Sequence, residues 1–83
     1  MKPVTIYTKD YCGYCTSAKA LLDRKGVAFE EIDVSGDPAA AREVAQRSGQ
    51  RTVPQIWIGE HHVGGFTDLA ALEASGELDR LLG

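Results

Sequence analysis

Val4 to Lys25 reads VTIYTKDYCGYCTSAKALLDRK, and within this segment the residue pattern changes from that of a strand to that of a helix. Val4–Tyr7 is β-branched and aromatic, which is typical of a β-strand. From Tyr14 onward the apolar residues recur at helical spacing, with polar residues on the other side. The segment therefore predicts a strand that leads into a helix, which stops at Gly26.

The rest of the chain alternates between the same two patterns, with glycine and proline at the boundaries. The predicted elements are a strand Val27–Val34, a helix Ala39–Ser48 opened by Asp37-Pro38 and ended by Gly49, strands Gln55–Ile58 and His61–Val63 joined by Gly59-Glu60, a helix capped by Thr67 and running to Ala74, and a last short helix with Leu78, Leu81 and Leu82.

This order, β-α-β-α-β-β-α with an extra turn at the end, predicts an α/β fold. The helix between the first two strands makes them parallel with a right-handed crossover, and the hairpin adds antiparallel strands. We therefore expect a mixed four-stranded sheet with helices on both faces. The C-terminal leucines should then matter for stability, because the last helix is needed to cover the sheet.

Composition limits the classes of function. The 83 residues are expected to form a single domain, residues 1–83, and a net charge of −3 with scattered Lys and Arg offers no surface for nucleic acid. No apolar run approaches the roughly 20 residues of a membrane span, so no membrane partner is expected. The first ten residues contain no apolar stretch of the kind that an export signal needs, so we expect a location in the cytoplasm and no permanent disulfide.

The two cysteines, Cys12 and Cys15, stand where the first strand has ended and the helix begins. The thiolate is the nucleophile in disulfide chemistry, and the free N–H groups and positive dipole of a helix N-terminus favour that anion at Cys12. Lys9 adds a nearby positive charge. Helical spacing puts Cys15 on the same face within disulfide reach. The pattern predicts that Cys12 attacks and Cys15 resolves.

Two other interpretations of the cysteine pair are weaker. A zinc site would need His61 and His62 as its remaining ligands, but adjacent strand residues point to opposite faces and lack the usual spacer. A structural disulfide disagrees with the absence of an export signal. We therefore expect no metal site, and we interpret the two histidines as polar hairpin residues.

Thr52-Val53-Pro54 stands just ahead of the third predicted strand. Proline cannot donate to a ladder, so its position at the start of a strand needs no functional explanation. A cis Val53–Pro54 bond would turn the Val53 backbone toward the Cys12 sulfur, where it could pair with an extended, peptide-like substrate. The sequence leaves cis and trans open.

Gly64-Gly65-Phe66-Thr67-Asp68 follows the fourth predicted strand. The glycines permit close backbone approach, the helix N-terminus would favour a carboxylate, and Asp68 could pair with an ammonium group. An ordinary turn with a helix cap explains the same residues, and taken alone this motif favours the cap.

Together these motifs resemble those of the glutaredoxin family. The matching residues are Tyr11-Cys12-Gly13-Tyr14-Cys15, Thr52-Val53-Pro54, and Gly64-Gly65 with Thr67-Asp68, all in the family's order. The resemblance covers nearly the whole chain. It implies a thioredoxin-like fold, with glutathione as the reducing co-substrate and no other required cofactor.

The resemblance also implies roles for individual residues. Cys12 would be the nucleophile and Cys15 the resolving thiol, while Val53 would pair with the cysteine backbone of glutathione. The glutathione-binding set that it implies is Lys9, Tyr14, Thr52, Val53, Pro54, Gly65, Thr67 and Asp68. Thr67 and Asp68 would hold the γ-glutamyl group, and the glycine carboxylate would use Arg51 or Arg42.

The function implied by the resemblance is reduction of glutathione mixed disulfides and protein disulfides. We expect the protein to be a monomer. Its partners would be glutathione and oxidised or glutathionylated proteins, with glutathione reductase acting indirectly. Gly13 departs from the family, because many members have proline there. Phe66 stands where relatives often carry a further cysteine, so the chain has no third thiol.

Two alternatives stay open at this point. Some members with a small residue at the position of Gly13 hold a [2Fe–2S] cluster between two subunits, with glutathione as co-ligand. The chain could therefore be a cluster-binding or carrier protein with Cys12 and glutathione as the metal ligands. The other alternative is direct reduction by a thioredoxin reductase. The Thr67-Asp68 pair argues against it, since such a partner needs no clamp for a γ-glutamyl group.

Overall fold

The helices and strands follow the predicted order in a computed structural model that describes all residues from Met1 to Gly83. They are β1 (Val4–Thr8), α1 (Gly13–Arg24), β2 (Glu30–Asp33), α2 (Pro38–Ser48), β3 (Gln55–Ile58), β4 (His61–Gly64), α3 (Phe66–Ser75) and α4 (Glu77–Leu82). No helix has both the length and the apolar character needed to cross a membrane.

The strands form one four-stranded mixed sheet in the order β2-β1-β3-β4, as predicted. β1 and β2 are parallel because α1 connects them, whereas β3 pairs antiparallel with both β1 and β4. Across β1 and β3, Ile6 lies opposite Ile56 and Tyr7 lies opposite Gln55. Successive residues of a strand point to opposite sides, so the isoleucine pair lies on one face of the sheet and the Tyr7–Gln55 pair lies on the other.

The apolar face of the sheet is lined by Val4, Ile6, Ile56 and Ile58 and is covered by α1, α3 and α4. Eleven buried residues form one cluster there, which includes Leu22, Leu69, Leu78 and Leu82. Leu78 is fully buried and Leu82 is 3% exposed, which agrees with the prediction that the C-terminal leucines matter for stability, while Leu81 is partly buried.

The opposite face, lined by Thr5, Tyr7, Gln55 and Trp57, is covered by α2 and is called the α2 face below. Val44 is the one buried residue of that helix. The guanidinium of Arg47 lies 4.6 Å from the centroid of the Trp57 ring and donates to the Tyr7 hydroxyl at 3.0 Å. Helices on both faces are therefore confirmed, and α2 adds polar and aromatic contacts to the burial of Val44.

Lys25, at the end of α1, forms ion pairs with α3 and α4, the other two helices of the apolar face. Its Nζ lies 2.8 Å from Asp79 Oδ1 on α4 and 2.9 Å from Glu73 Oε1 on α3. Hydrogen bonds to these two carboxylates, Asp79 first, raise the pKa of Lys25 above its ordinary value. The pairing fixes the position of the short α4 relative to its neighbours.

Two predicted boundaries are wrong for physical reasons. The second strand begins at Glu30 instead of Val27, because the Val27 N–H donates to Leu22 O at 3.0 Å and closes the end of α1. The last long helix begins at Phe66, with Gly65 as its N-cap, so Thr67 does not cap it. Asp68 closes that end of α3 by accepting the Gly65 N–H at 3.0 Å.

Candidate active site

The two cysteines form a disulfide at the start of α1, with their Cα atoms 5.2 Å apart. Cys12 is the N-cap of the helix, and its sulfur accepts the Cys15 N–H at 3.1 Å. Cys15 is only 2% exposed, whereas Cys12 is partly exposed. A reagent from solvent therefore reaches Cys12 first.

The turn between β1 and α1 brings Cys12 to the surface. Tyr11 has a φ of 57° and is the one non-glycine residue in the left-handed region, which costs free energy for an L-residue. Its ring is fully exposed. The first turn of α1 carries no acidic side chain that would oppose a thiolate at the helix N-terminus.

A groove of about 250 Å³ opens beside Cys12. Its lining consists of Tyr14, Thr52, Val53, Pro54, Gly65, Phe66 and Thr67. The Val53–Pro54 bond is cis, and the Val53 carbonyl oxygen lies 3.7 Å from Cys12 Sγ. The structure thus brings together six of the eight residues in the predicted glutathione-binding set, from three separate segments of the chain.

Asp68 lies beside this groove without lining it. Its Oδ2 accepts the N–H of Gly65, and a Cβ added to Gly64 would meet the carboxylate carbon at 3.0 Å. Gly64 also has a φ of 113°, so glycine is needed there for both conformation and space. The cap that the sequence offered as an alternative is therefore present at Asp68, which holds a negative charge next to the groove.

Lys9 lies on the other side of Cys12. It lines a charged cleft of about 510 Å³ together with Cys12 and Cys15. It also lines a basic hollow of about 470 Å³, which contains Arg42 and Arg51. Lys9 does not line the groove itself, but it lies next to both arginines considered for the glycine carboxylate and lines a small pocket with Thr52 and Val53.

Two acidic residues of the charged cleft, Glu31 and Asp33, accept hydrogen bonds. Glu31 Oε2 accepts from Lys19 Nζ at 3.0 Å and from Thr8 Oγ1 at 2.8 Å, and these bonds, Lys19 first, lower the pKa of Glu31. The N–H of Ser35 donates to Asp33 at 2.8 Å and lowers the pKa of that carboxyl. Both carboxylates are thus stabilised in the charged form.

Sequence reasoning missed Phe66 as a site residue and considered it only as the absence of a thiol. Its ring lines the groove and stacks on Tyr14, with centroids 6.2 Å apart and an interplanar angle of 24°. The sequence could have indicated this role of Phe66, since one aromatic residue stands between the cysteines and another directly follows Gly64-Gly65.

The histidines do not approach the cysteines as a zinc site would require. No group of three or more His, Cys, Asp or Glu side chains comes together in a way that could hold a metal ion. His61 is exposed, and His62 Nε2 lies 2.7 Å from Gln55 Oε1. Both belong to the hairpin as expected, but the bond from His62 to a buried glutamine was not predicted.

The chain is similar to glutaredoxins in sequence and in structure. The glutaredoxin family model matches residues 4–63. The chain is 58% identical over 82 residues to glutaredoxin of Pseudomonas aeruginosa, covering 99% of this chain and 98% of that protein. It is 54% identical over 82 residues to glutaredoxin 3 of Escherichia coli strain K12, covering 99% of each. It superposes on a buckwheat glutaredoxin–glutathione complex with a TM-score of 0.90 and 33% identity, over 98% of this chain and 76% of the other.

Proposed function

The chain belongs to the glutaredoxin family of glutathione-dependent thiol–disulfide oxidoreductases, and we propose that Cys12 is its attacking thiolate and Cys15 its resolving thiol. One observation carries this assignment: Cys12 is the accessible N-cap of α1, and its sulfur accepts the Cys15 N–H at 3.1 Å. In the reduced protein that N–H and the helix dipole would stabilise a thiolate. The burial of Cys15 suits a resolving thiol, which reacts with Cys12 and not with a reagent from solvent.

The proposed substrate is a mixed disulfide of glutathione with a target thiol. The Cys12 thiolate attacks the glutathione sulfur, a Cys12–glutathione disulfide forms, and the target leaves as a thiolate that takes a proton from water. A second glutathione thiolate attacks the same glutathione sulfur, so that glutathione disulfide forms and the Cys12 thiolate is restored. Glutathione reductase would return the disulfide to two glutathione molecules.

Protein disulfides would use both cysteines. Cys12 attacks one sulfur of the target and forms a mixed disulfide, while the first target thiolate leaves. Cys15 then attacks Cys12, which releases the second target thiolate and leaves the Cys12–Cys15 disulfide. The Cα separation of 5.2 Å supports this step, because it lies in the range that a disulfide spans without backbone movement.

We propose the groove beside Cys12 as the site for the glutathionyl moiety. The Val53 backbone would pair with the cysteine residue of glutathione, Tyr14 and Phe66 would flank it, and the start of α3 at Gly65 and Thr67 would receive the γ-glutamyl carboxylate. Asp68 would attract the ammonium group. The similar buckwheat protein forms a complex with glutathione, which supports glutathione as the ligand.

The glycine carboxylate of glutathione would lie toward the basic hollow. Lys9, Arg42 and Arg51 line it, and Asp68 does not. A ligand with a carboxylate at one end and an ammonium group at the other matches the sign of charge on both sides. Thr52 and Pro54 would form the wall between these ends.

We infer that the chain acts as a single-domain monomer in a reducing compartment such as the cytoplasm, with oxidised or glutathionylated proteins as its targets. The family match favours this glutathione cycle over the two alternatives, [2Fe–2S] cluster carriage and reduction by a thioredoxin reductase.

The test is glutathione-dependent reduction of the mixed disulfide of glutathione and β-mercaptoethanol, coupled to NADPH oxidation through glutathione reductase. Cys12→Ser should be inactive with this substrate and with protein disulfides, because no other thiolate is accessible. Cys15→Ser is the matched control and should retain the mixed-disulfide activity but lose reduction of protein disulfides. Substantial activity in Cys12→Ser would overturn the assignment.

A further inference from the structure

The loop that carries Val53 is held by side chains. Residues 50–53 lie outside every helix and strand, and none of them takes part in a backbone–backbone hydrogen bond of the loops. Ser48 holds one end, since its hydroxyl pairs with the N–H and the C=O of Gln50 at 3.1 and 3.0 Å. The other end, next to Cys12, depends on Gln55.

Gln55 is fully buried at the start of β3, directly after cis-Pro54. Its Nε2 donates to the Thr52 carbonyl at 3.1 Å and to Gln50 Oε1 at 2.9 Å. Both bonds cross back over the loop, so one side chain fixes the backbone on the N-terminal side of Val53. A buried carboxamide with these partners has little freedom to turn.

His62 holds the oxygen end of that carboxamide. The Thr52 carbonyl can only accept a hydrogen bond, so the amide nitrogen of Gln55 faces Thr52 and its oxygen faces His62. The 2.7 Å contact between His62 Nε2 and Gln55 Oε1 then requires a proton on Nε2. His62 is itself held in place, because its ring packs on Trp57 with centroids 4.7 Å apart.

We propose that Gln55 and His62 are positioning residues for substrate binding: the His62 donor holds the oxygen end of the Gln55 carboxamide, and Gln55 holds the Thr52-Val53 backbone beside Cys12. This inference rests on the proposed function, in which the Val53 backbone pairs with the glutathionyl moiety. Neither side chain touches the substrate. Their loss should weaken substrate binding and leave the intrinsic reactivity of Cys12 unchanged.

The experiment compares His62→Phe with His62→Gln and adds Gln55→Glu. Phenylalanine keeps the aromatic packing on Trp57 but has no donor, whereas glutamine restores an N–H donor. Glutamate at position 55 can still accept from His62 but cannot donate to the Thr52 carbonyl. Tyr7→Phe is the matched control, because it removes only the bond from Arg47 on the same α2 face.

The measurements are KM and kcat for the glutathione–β-mercaptoethanol mixed disulfide, and the rate of Cys12 alkylation by iodoacetamide, which needs no backbone pairing. His62→Phe and Gln55→Glu should raise KM about fivefold to tenfold, as expected for the loss of one hydrogen bond. Their alkylation rates should stay within about twofold of wild type. His62→Gln and Tyr7→Phe should keep a KM close to wild type.

Three results would overturn the inference: an unchanged KM in both His62→Phe and Gln55→Glu, an equal loss of alkylation rate, or no rescue by His62→Gln. Failure of the proposed function looks different, because wild-type protein would then show no activity with this substrate. In that case the positioning role of Gln55 and His62 would be overturned together with the proposed function.

Discussion

The two faces of the sheet are built from the same strands but by different physical means. The apolar face buries Ile6 and Ile56 against leucines of α1, α3 and α4, an attraction that has no direction and grows with buried area. The α2 face holds Gln55 and Trp57 through hydrogen bonds, ring packing and one cation–π contact, which depend on geometry. The comparison indicates that the apolar face supplies most of the stability, while the α2 face sets the shape of the loop at Val53.

The largest expected effect is on the apolar face. Leu22→Ala should lower the free energy of unfolding by about 2–5 kcal/mol, because Leu22 is fully buried and its truncation leaves a cavity. The KM for the glutathione mixed disulfide should stay the same. Urea denaturation measures the free energy of unfolding. Leu81→Ala, at a partly buried position of α4, is the control and should lower this free energy by less than Leu22→Ala does. A raised KM in Leu22→Ala would contradict the conclusion that the apolar face supplies stability while the α2 face sets the shape of the loop at Val53.

A smaller loss of stability is expected on the α2 face. Trp57→Phe should lower the free energy of unfolding by about 1–2 kcal/mol, since it removes part of a buried ring and weakens the contact with Arg47. The KM should stay close to the wild-type value, because phenylalanine keeps a ring against His62. Urea denaturation and steady-state kinetics measure these two quantities. A stability loss larger than that of Leu22→Ala would contradict the assignment of roles to the two faces.

The smallest effect concerns the rim of the apolar face, where Glu31 receives hydrogen bonds from Lys19 and Thr8. Its pKa is lowered in the folded protein, so its charge contributes stability above the unfolded value of about 4.3 and loses that contribution as the pH falls through the folded pKa. Glu31→Gln should therefore be less stable than wild type at pH 7, and the difference should vanish in acid.

Thermal unfolding across this pH range measures the difference between Glu31→Gln and wild type. Glu30→Gln is the control, because Glu30 is an exposed carboxylate on the same strand. A difference that persists in acid would mean that Glu31 acts through its shape and not through its charge.

The fold was predictable because its elements follow from local periodicity, as in β1, α1 and α2. The cysteine pair was predictable for the same reason, since Cys12 and Cys15 are close in sequence. The start of β2 was not, because Val27 has the residue type of a strand while its N–H is used to close the preceding helix. The isomer at Pro54 was also open, since the cis and trans forms differ little in free energy before folding.

The side-chain contacts that hold the loop at Val53 could not be predicted from the sequence, because they depend on strand register. The pairing between β3 and β4 is irregular between Ile56 and Trp57, so that Trp57 faces His62 while Ile56 faces Gly64. A shift of one residue would turn His62 to the other side of the sheet, away from Gln55. Sequence patterns in a strand this short do not specify such an irregularity.

The chain has a single tryptophan, and its position gives the molecule an optical property of its own. Trp57 is 5% exposed, with the Arg47 cation 4.6 Å from its ring centroid and the His62 ring 4.7 Å away. Its fluorescence comes from one shielded indole, so emission at short wavelength reports an intact α2 face. The packing of Arg47 and His62 on this ring can thus be followed in solution without a label.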